Sequence, residues 1–174
     1  MSDHSGNYWK FAAMIVTAMV VMFGLMYLNT SDFSHVRFSE TRFYMTFLMG
    51  AAMAVIMLAF MLGMYGNART NSGIFVGSLI VFGLALWLVR SQATVGDISY
   101  MQSMIPHHSI AILTSERAGI GDRRVRELAD EIIEAQRREI KEMTWLIDDI
   151  RQNGKAVTEA DAAGRPVPDF EANP

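Results

Sequence analysis

Met101-Gln-Ser-Met-Ile-Pro-His-His108 places two thioethers and two adjacent imidazoles within eight residues. The chain changes character here: long uncharged runs lie before this stretch, and an amphipathic pattern begins with it. Upstream, the first 90 residues hold five of the fifteen Lys and Arg. Charges bound three uncharged runs there, 21 residues between Lys10 and Asp32, 26 between Arg42 and Arg69, and 20 between Arg69 and Arg90. A bilayer core of about 30 Å takes roughly 20 apolar residues of helix, so each run is long enough to cross one. Downstream, apolar residues recur at helical spacing from Asp97 to Asn153, interrupted only by Ala118-Gly-Ile-Gly-Asp122. The expected fold class is all-α: three transmembrane helices followed by a helical hairpin, which is half of a four-helix bundle.

The boundaries that follow are a polar N-terminus over 1–7, in which His4 reads as solvated, a three-helix membrane domain over 8–90 and a linker over 91–96. A hairpin domain occupies 97–153, and a tail over 154–174 is expected to be disordered because it is rich in Ala, Gly, Pro and acid and lacks periodicity. The membrane helices are expected over about Tyr8 to Leu28, Phe43 to Tyr65 and Ile74 to Val89. The apolar part of the first is longer than the roughly 7 to 15 residues of a signal peptide, so it is expected to be retained. Lys10 and Arg69 flank one side of the spans and Arg37, Arg42 and Arg90 the other, so positive charge does not fix their orientation. In the hairpin, Asp97 or Ser99 can cap the first helix, Asp122 the second, and Gly154 ends it.

Composition narrows the chemistry. With no cysteine, neither a disulfide framework nor a thiolate metal site is possible. A net charge of -3 without a basic block argues against nucleic acid as a partner. No nucleophile, phosphate loop or carboxylate pair is placed for catalysis, and an enzyme is not expected. Glu131, Glu134, Glu139 and Glu142 read as a solvated helix face paired with Arg and Lys.

Two methionine patterns stand out. In the second span Met45, Met49, Met53, Met57 and Met61 recur every four residues, a slow spiral along the helix. Flexible apolar filler explains them; soft ligands for copper(I) are the alternative. With Gly50 and Ala54 on that helix and Gly73 and Gly77 on the next, small residues would let backbones approach closely. The plan resembles that of Ctr-type copper uptake channels.

The second pattern is the opening stretch. At about 100° per residue, His108 falls in the middle of an apolar stripe between Met101 and Met104, and His107 lies at its edge. Pro106 should kink or open the helix here, which could swing both imidazoles towards one centre. On the second helix Gln136 falls in the apolar stripe, with Glu139 and Met143 beside it. A buried amide demands a partner, since an unpaired one costs about 1 to 3 kcal/mol, and antiparallel pairing brings Gln136 towards His108. A plain core hydrogen bond would satisfy both. Two histidines and two methionines in eight residues favour a metal, and imidazole with thioether and no thiolate suits copper. His35, alone in the loop after the first span, reads as solvated.

Asp97-x-x-Tyr-x-x-x-Met-Ile-Pro-His-His-x-x-Ala111, followed by Arg126-x-Leu-Ala-x-x-Ile-Ile-x-x-Gln-x-x-Glu-Ile-x-x-Met143, resembles the bacterial domain-of-unknown-function family typified by the periplasmic copper-binding protein CopM. The resemblance implies a ferritin-like fold, a periplasmic location and a copper ion. It carries metal ligation onto Met104, His107, His108 and Met143, then Met101, Gln136 and Glu139. Thr114 departs from it, since a methionine often follows the histidines. The function expected is a membrane-anchored periplasmic copper-binding protein for sequestration or handover, in a bacterial inner membrane. The hairpin is expected to pair as a homodimer or to dock on another membrane protein. The alternatives are a small accessory subunit with structural histidines and a copper transporter using the methionines of the second span.

Overall fold

The computed structural model describes residues 7–171; the expectations for His4 and for the last three residues of the tail lie outside them. Among the described residues there are six α-helices and no strand. They are α1 (Tyr8–Leu25), α2 (Glu40–Phe60), α3 (Ala68–Ser91), α4 (Asp97–Arg117), α5 (Arg123–Asn153) and α6 (Glu159–Gly164), with one 3-10 turn over Phe33–His35. The chain forms two compact units, Met1–Met26 with Glu40–Thr94, and Tyr27–Ser39 with Val95–Pro174. The connection 27–39, which sequence assigns to the membrane domain, thus belongs with the hairpin.

In the first unit α2 packs along both α1 and α3. All three helices are long and apolar enough to cross a membrane, yet only 11%, 28% and 11% of their apolar windows are buried. The remainder, including Val16, Val20, Leu79, Ile80 and Leu84, is exposed apolar surface of the kind that lipid covers. Three methionines of the second span serve as packing: Met53 and Met57 of α2, and Met61 just after it, lie against Phe11, Ile15, Ala54, Leu58 and Tyr65. At Gly50 a Cβ would run into the thioether of Met19, so α1 comes close to α2 here and a larger residue would have to push that side chain aside. Gly73 and Gly77 have open space beside them, so the close approach expected of that pair is not made here.

One end of this unit is polar and buried. Tyr65 packs against the rings of Tyr8 and Phe11, with centroids 4.9 and 5.6 Å away. The Tyr8 hydroxyl donates to Asn71 Oδ1 at 2.8 Å, and Asn71 Nδ2 donates to the Tyr65 carbonyl at 2.7 Å. Asn67 caps α3 by accepting from the Thr70 amide, so this helix starts six residues before the expected Ile74. Its polar first turn reads as loop until Asn71 is seen to be buried. Helix α2 stops at Phe60, short of the expected Tyr65, and Met61–Met64 form a turn.

The second unit is built on the α4–α5 hairpin. Met101, Ile105 and Ile112 of α4 bury against Ile140, Met143 and Ile147 of α5. Asp122 caps α5 by accepting from the Arg124 amide, and Gly154 ends it at φ 77°, a left-handed conformation that glycine adopts without cost. Helix α4 begins at Asp97 after Gly96, without a side-chain cap. Segment 154–171 departs from the disorder expected of it. Thr158 and Asp161 form a capping box that starts α6, and Arg165 pairs with Asp149 at 2.6 Å while donating to the Gly154 carbonyl. Asn153 and Arg165 hold the Asp149 carboxyl below the usual carboxylate range. No apolar periodicity announces this segment because ion pairs and a cap hold it, with little apolar burial.

Candidate metal centre

His108 is 8% exposed and lies between the two helices of the hairpin. Its Nδ1 is 2.9 Å from the Met104 carbonyl one turn back, and since a carbonyl only accepts, this nitrogen is the donor. Its Nε2 lies 2.7 Å from Glu139 Oε2 on α5. An imidazole anchored through Nδ1 to a backbone carbonyl has its orientation and tautomer fixed with Nε2 as the working atom, an arrangement that metal-ligating histidines use. Here Nε2 meets a carboxylate oxygen, which only accepts, so the contact is a hydrogen bond only when Nε2 also carries a proton; an ion at Nε2 would take that proton's place, with the carboxylate as a second donor. Met101 and Met143, 6% and 9% exposed, are buried in the apolar cluster of the hairpin, and Met104 packs half-buried against it.

The two histidines diverge. Helix α4 runs unbroken through Pro106, which is fully buried, and the ring of His107 is exposed, its centroid 6.0 Å from that of His108. Pro106 therefore does not swing both imidazoles to one centre within the chain. Gln136, expected opposite His108, is half-buried, but the partner is Glu139, one turn further on. Sequence spacing places both on the same flank, and only the relative rotation of the two helices selects between them. Among the described residues, no group of three or more His, Cys, Asp or Glu side chains is placed to hold a metal ion. The donors that the chain brings together here are His108 Nε2 and the Glu139 carboxylate; the thioethers of Met101, Met104 and Met143 belong to the apolar cluster of the same hairpin.

The residue after the histidine pair does work that sequence did not signal. Ser109 is fully buried. Its Oγ accepts from the Ser31 amide at 2.8 Å and lies 2.9 Å from Ser31 Oγ and 3.0 Å from His35 Nδ1. This latch fastens segment 27–39 to α4 beside His108, so His35 is half-buried rather than solvated. Burial pushes the His35 imidazole below its ordinary value; the Asp32 charge opposes this and Arg37 adds to it. A serine 3.0 Å from a histidine is the spacing of a nucleophile and its base, but Ser109 Oγ is enclosed and its bonds tie down a loop. Beside the latch, a cavity of about 260 Å³ is lined by Ser31, Asp32, His35, Ile112, Glu116, Arg137 and Lys141. An Arg137–Glu116 ion pair at 2.7 Å bridges the two helices at this level.

Comparison with known proteins places these elements in a lineage. The model of DUF305, a domain of unknown function, matches residues 97–169, which take in α4, α5 and α6. Over 150 residues the chain is 31% identical to the uncharacterized protein L153 of Acanthamoeba polyphaga mimivirus, covering 82% of this chain and 97% of that protein. That alignment is longer than the DUF305 match and extends into the residues before it. No solved structure matches the chain. The chain carries a DUF305 domain behind three apolar helices and belongs to the same family as the mimivirus protein.

Proposed function

We propose that this protein is a membrane-tethered copper-binding protein that sequesters the metal or hands it on, without catalysis. Helices α1 to α3 anchor it in a bacterial inner membrane, and the hairpin lies on the periplasmic side. The observation that carries the reading is His108: a buried imidazole, fixed through Nδ1 on the Met104 carbonyl, whose Nε2 meets Glu139, in a hairpin whose apolar cluster holds Met101, Met104 and Met143. Thioethers suit copper(I), while imidazole and carboxylate suit copper(II), so the residues at hand serve both states. His108 and Glu139 would hold the ion by nitrogen and oxygen, and the methionines would keep it when reduced.

Competition for copper(I) against a chromogenic chelator tests this on the full chain in detergent. The wild type should withdraw copper from the chelator. His108→Ala should abolish the transfer, and Met104→Leu with Met143→Leu should weaken it for copper(I) more than for copper(II). No withdrawal by the wild type would end the reading. Orientation can be read separately, because the chain lacks cysteine: Gln152→Cys in whole cells should react with a membrane-impermeant maleimide.

A second reading has one observation in its favour. With a proton on each ring nitrogen, the Met104 carbonyl and Glu139 satisfy both nitrogens of His108, as in an accessory subunit whose histidine is only structural. It predicts no copper withdrawal and a loss of stability in His108→Ala.

A further inference from the structure

The second unit is covered on one side and open on the other. Segment 27–39 lies over the Ser109 flank of α4. The opposite flank carries Tyr100, Met104 and His107 on α4, and Leu128, Ile132 and Glu139 on α5. At about 100° per residue, the α5 residues fall roughly 60 to 100° from the line through Ala129, Ile140 and Ile147 that faces α4. Tyr100, Leu128 and Ile132 are 55%, 55% and 36% exposed, and His107 is exposed.

Along α5 this flank is symmetric about Glu139. Ile132 and Leu146 stand seven residues either side of it, Leu128 and Ile150 eleven; Leu146 and Ile150 are half-buried, packed on the chain's own core with part of their surface left over. Such a pattern suits an isologous twofold contact between antiparallel helices, because residues equally distant from the axis meet in the other copy and here both members of each pair are apolar. A twofold axis at Glu139 would set Ile132 on Leu146 and Leu128 on Ile150, and two hairpins would make a four-helix bundle.

The axis passes through the proposed metal centre. One chain offers a single imidazole and a single carboxylate there, with no third His, Asp or Glu in reach among the described residues. Two copies bring together two His108 and two Glu139, with the exposed His107 of each at the rim. Two carboxylates facing one another away from water repel unless a cation or proton lies between them.

We infer that a second copy of this chain completes the centre, its α5 packing antiparallel about Glu139, so that one copper ion is shared by two chains. The metal part rests on the function proposed above; the pairing does not, and two readouts separate them. The first is disulfide trapping of the full chain in detergent. Ile132→Cys with Leu146→Cys should form a covalent dimer on oxidation, and either cysteine alone should not. The two sites are about 21 Å apart along one helix, too far to bridge within it, and each alone would lie equally far from its own copy. No dimer from the double variant, or equal dimer from a single one, would overturn the pairing. The second readout is mass and copper content together. The copper-loaded wild type should be a dimer with one ion per two chains, and Leu128→Lys with Ile132→Lys should be monomeric and release the ion. One ion per chain, or copper retained by a monomer, would overturn the shared site while leaving the proposed function intact. No copper in a trapped dimer would overturn the function and the shared site, leaving the pairing.

Discussion

Replacing Glu139 separates two contributions to the hairpin that the geometry joins. His108 is 11% exposed at its side chain and Glu139 41%, with 2.7 Å between Nε2 and Oε2. In Glu139→Gln the amide can still hydrogen-bond to the ring, and only the assistance of the charge is lost. Charged hydrogen bonds contribute about 1.5 to 3 kcal/mol and neutral ones about 0.5 to 1.5, so this change should cost about 1 kcal/mol. Exposure of the carboxylate puts the figure at the low end. In Glu139→Leu the ring nitrogen loses its partner in a site nearly closed to water, which costs about 1 to 3 kcal/mol, so leucine should be worse than glutamine although it adds apolar surface. Trp145 on α5 can report unfolding by denaturant once Trp9 and Trp87 are changed to Phe, since the chain has three tryptophans. In a His108→Leu background both substitutions should lose most of their effect. If both cost less than about 0.3 kcal/mol in the wild-type background, the pair contributes no net stability and the reasoning fails.

Ser109→Ala leaves the Ser31 amide without its acceptor; hydrogen exchange at that amide should speed up roughly tenfold, corresponding to about 1.4 kcal/mol, while α5 amides stay protected. Acid should loosen the same latch. His35 is held below the ordinary histidine value of about 6.5, so the unfolded segment binds the proton more readily. Its stabilisation is therefore full above that value and declines as pH falls from there towards the folded value, where the loss is complete; Ser31 exchange followed between pH 8 and 5 checks this, and Asp32, Arg37, Glu116, Arg137 and Lys141 set the local field. Gly50→Val should displace Met19 and loosen α1 from α2 by about 1 to 3 kcal/mol, and Met19→Ala in the same chain should restore part of that, read as thermal stability in detergent. Arg165→Ala removes the Asp149 ion pair and the Gly154 contact, and limited proteolysis should then cleave between Lys155 and Pro168 faster than in the wild type.

Much of the helical content is legible in the sequence because two simple signals carry it. Uncharged runs of about 20 residues mark α1, α2 and α3, and the apolar stripe from Val125 to Ile150 marks α5. Where side-chain hydrogen bonds replace hydrophobic pattern, the signal fails: the polar start of α3 is held by Asn67 and Asn71, and α6 by Thr158 and Asp161. The last could have been found, since Thr-x-x-Asp followed by alanine-rich helix is a cap signature. At the site, the place of His108 in the apolar stripe follows from spacing alone, as does the burial of Met101 and Met143. Its partner does not, because Gln136 and Glu139 lie within about 60° of each other and only packing selects. The Ser31–His35–Ser109 latch joins residues 74 to 78 positions apart with no periodicity to announce it.

X-ray absorption at the copper edge of the loaded, detergent-purified chain reads directly which atoms surround the ion. The reduced sample should show imidazole and sulfur scattering, with the imidazole contribution lost in His108→Ala. A protein that retains no copper, or whose spectrum His108→Ala leaves unchanged, would contradict a copper centre at His108.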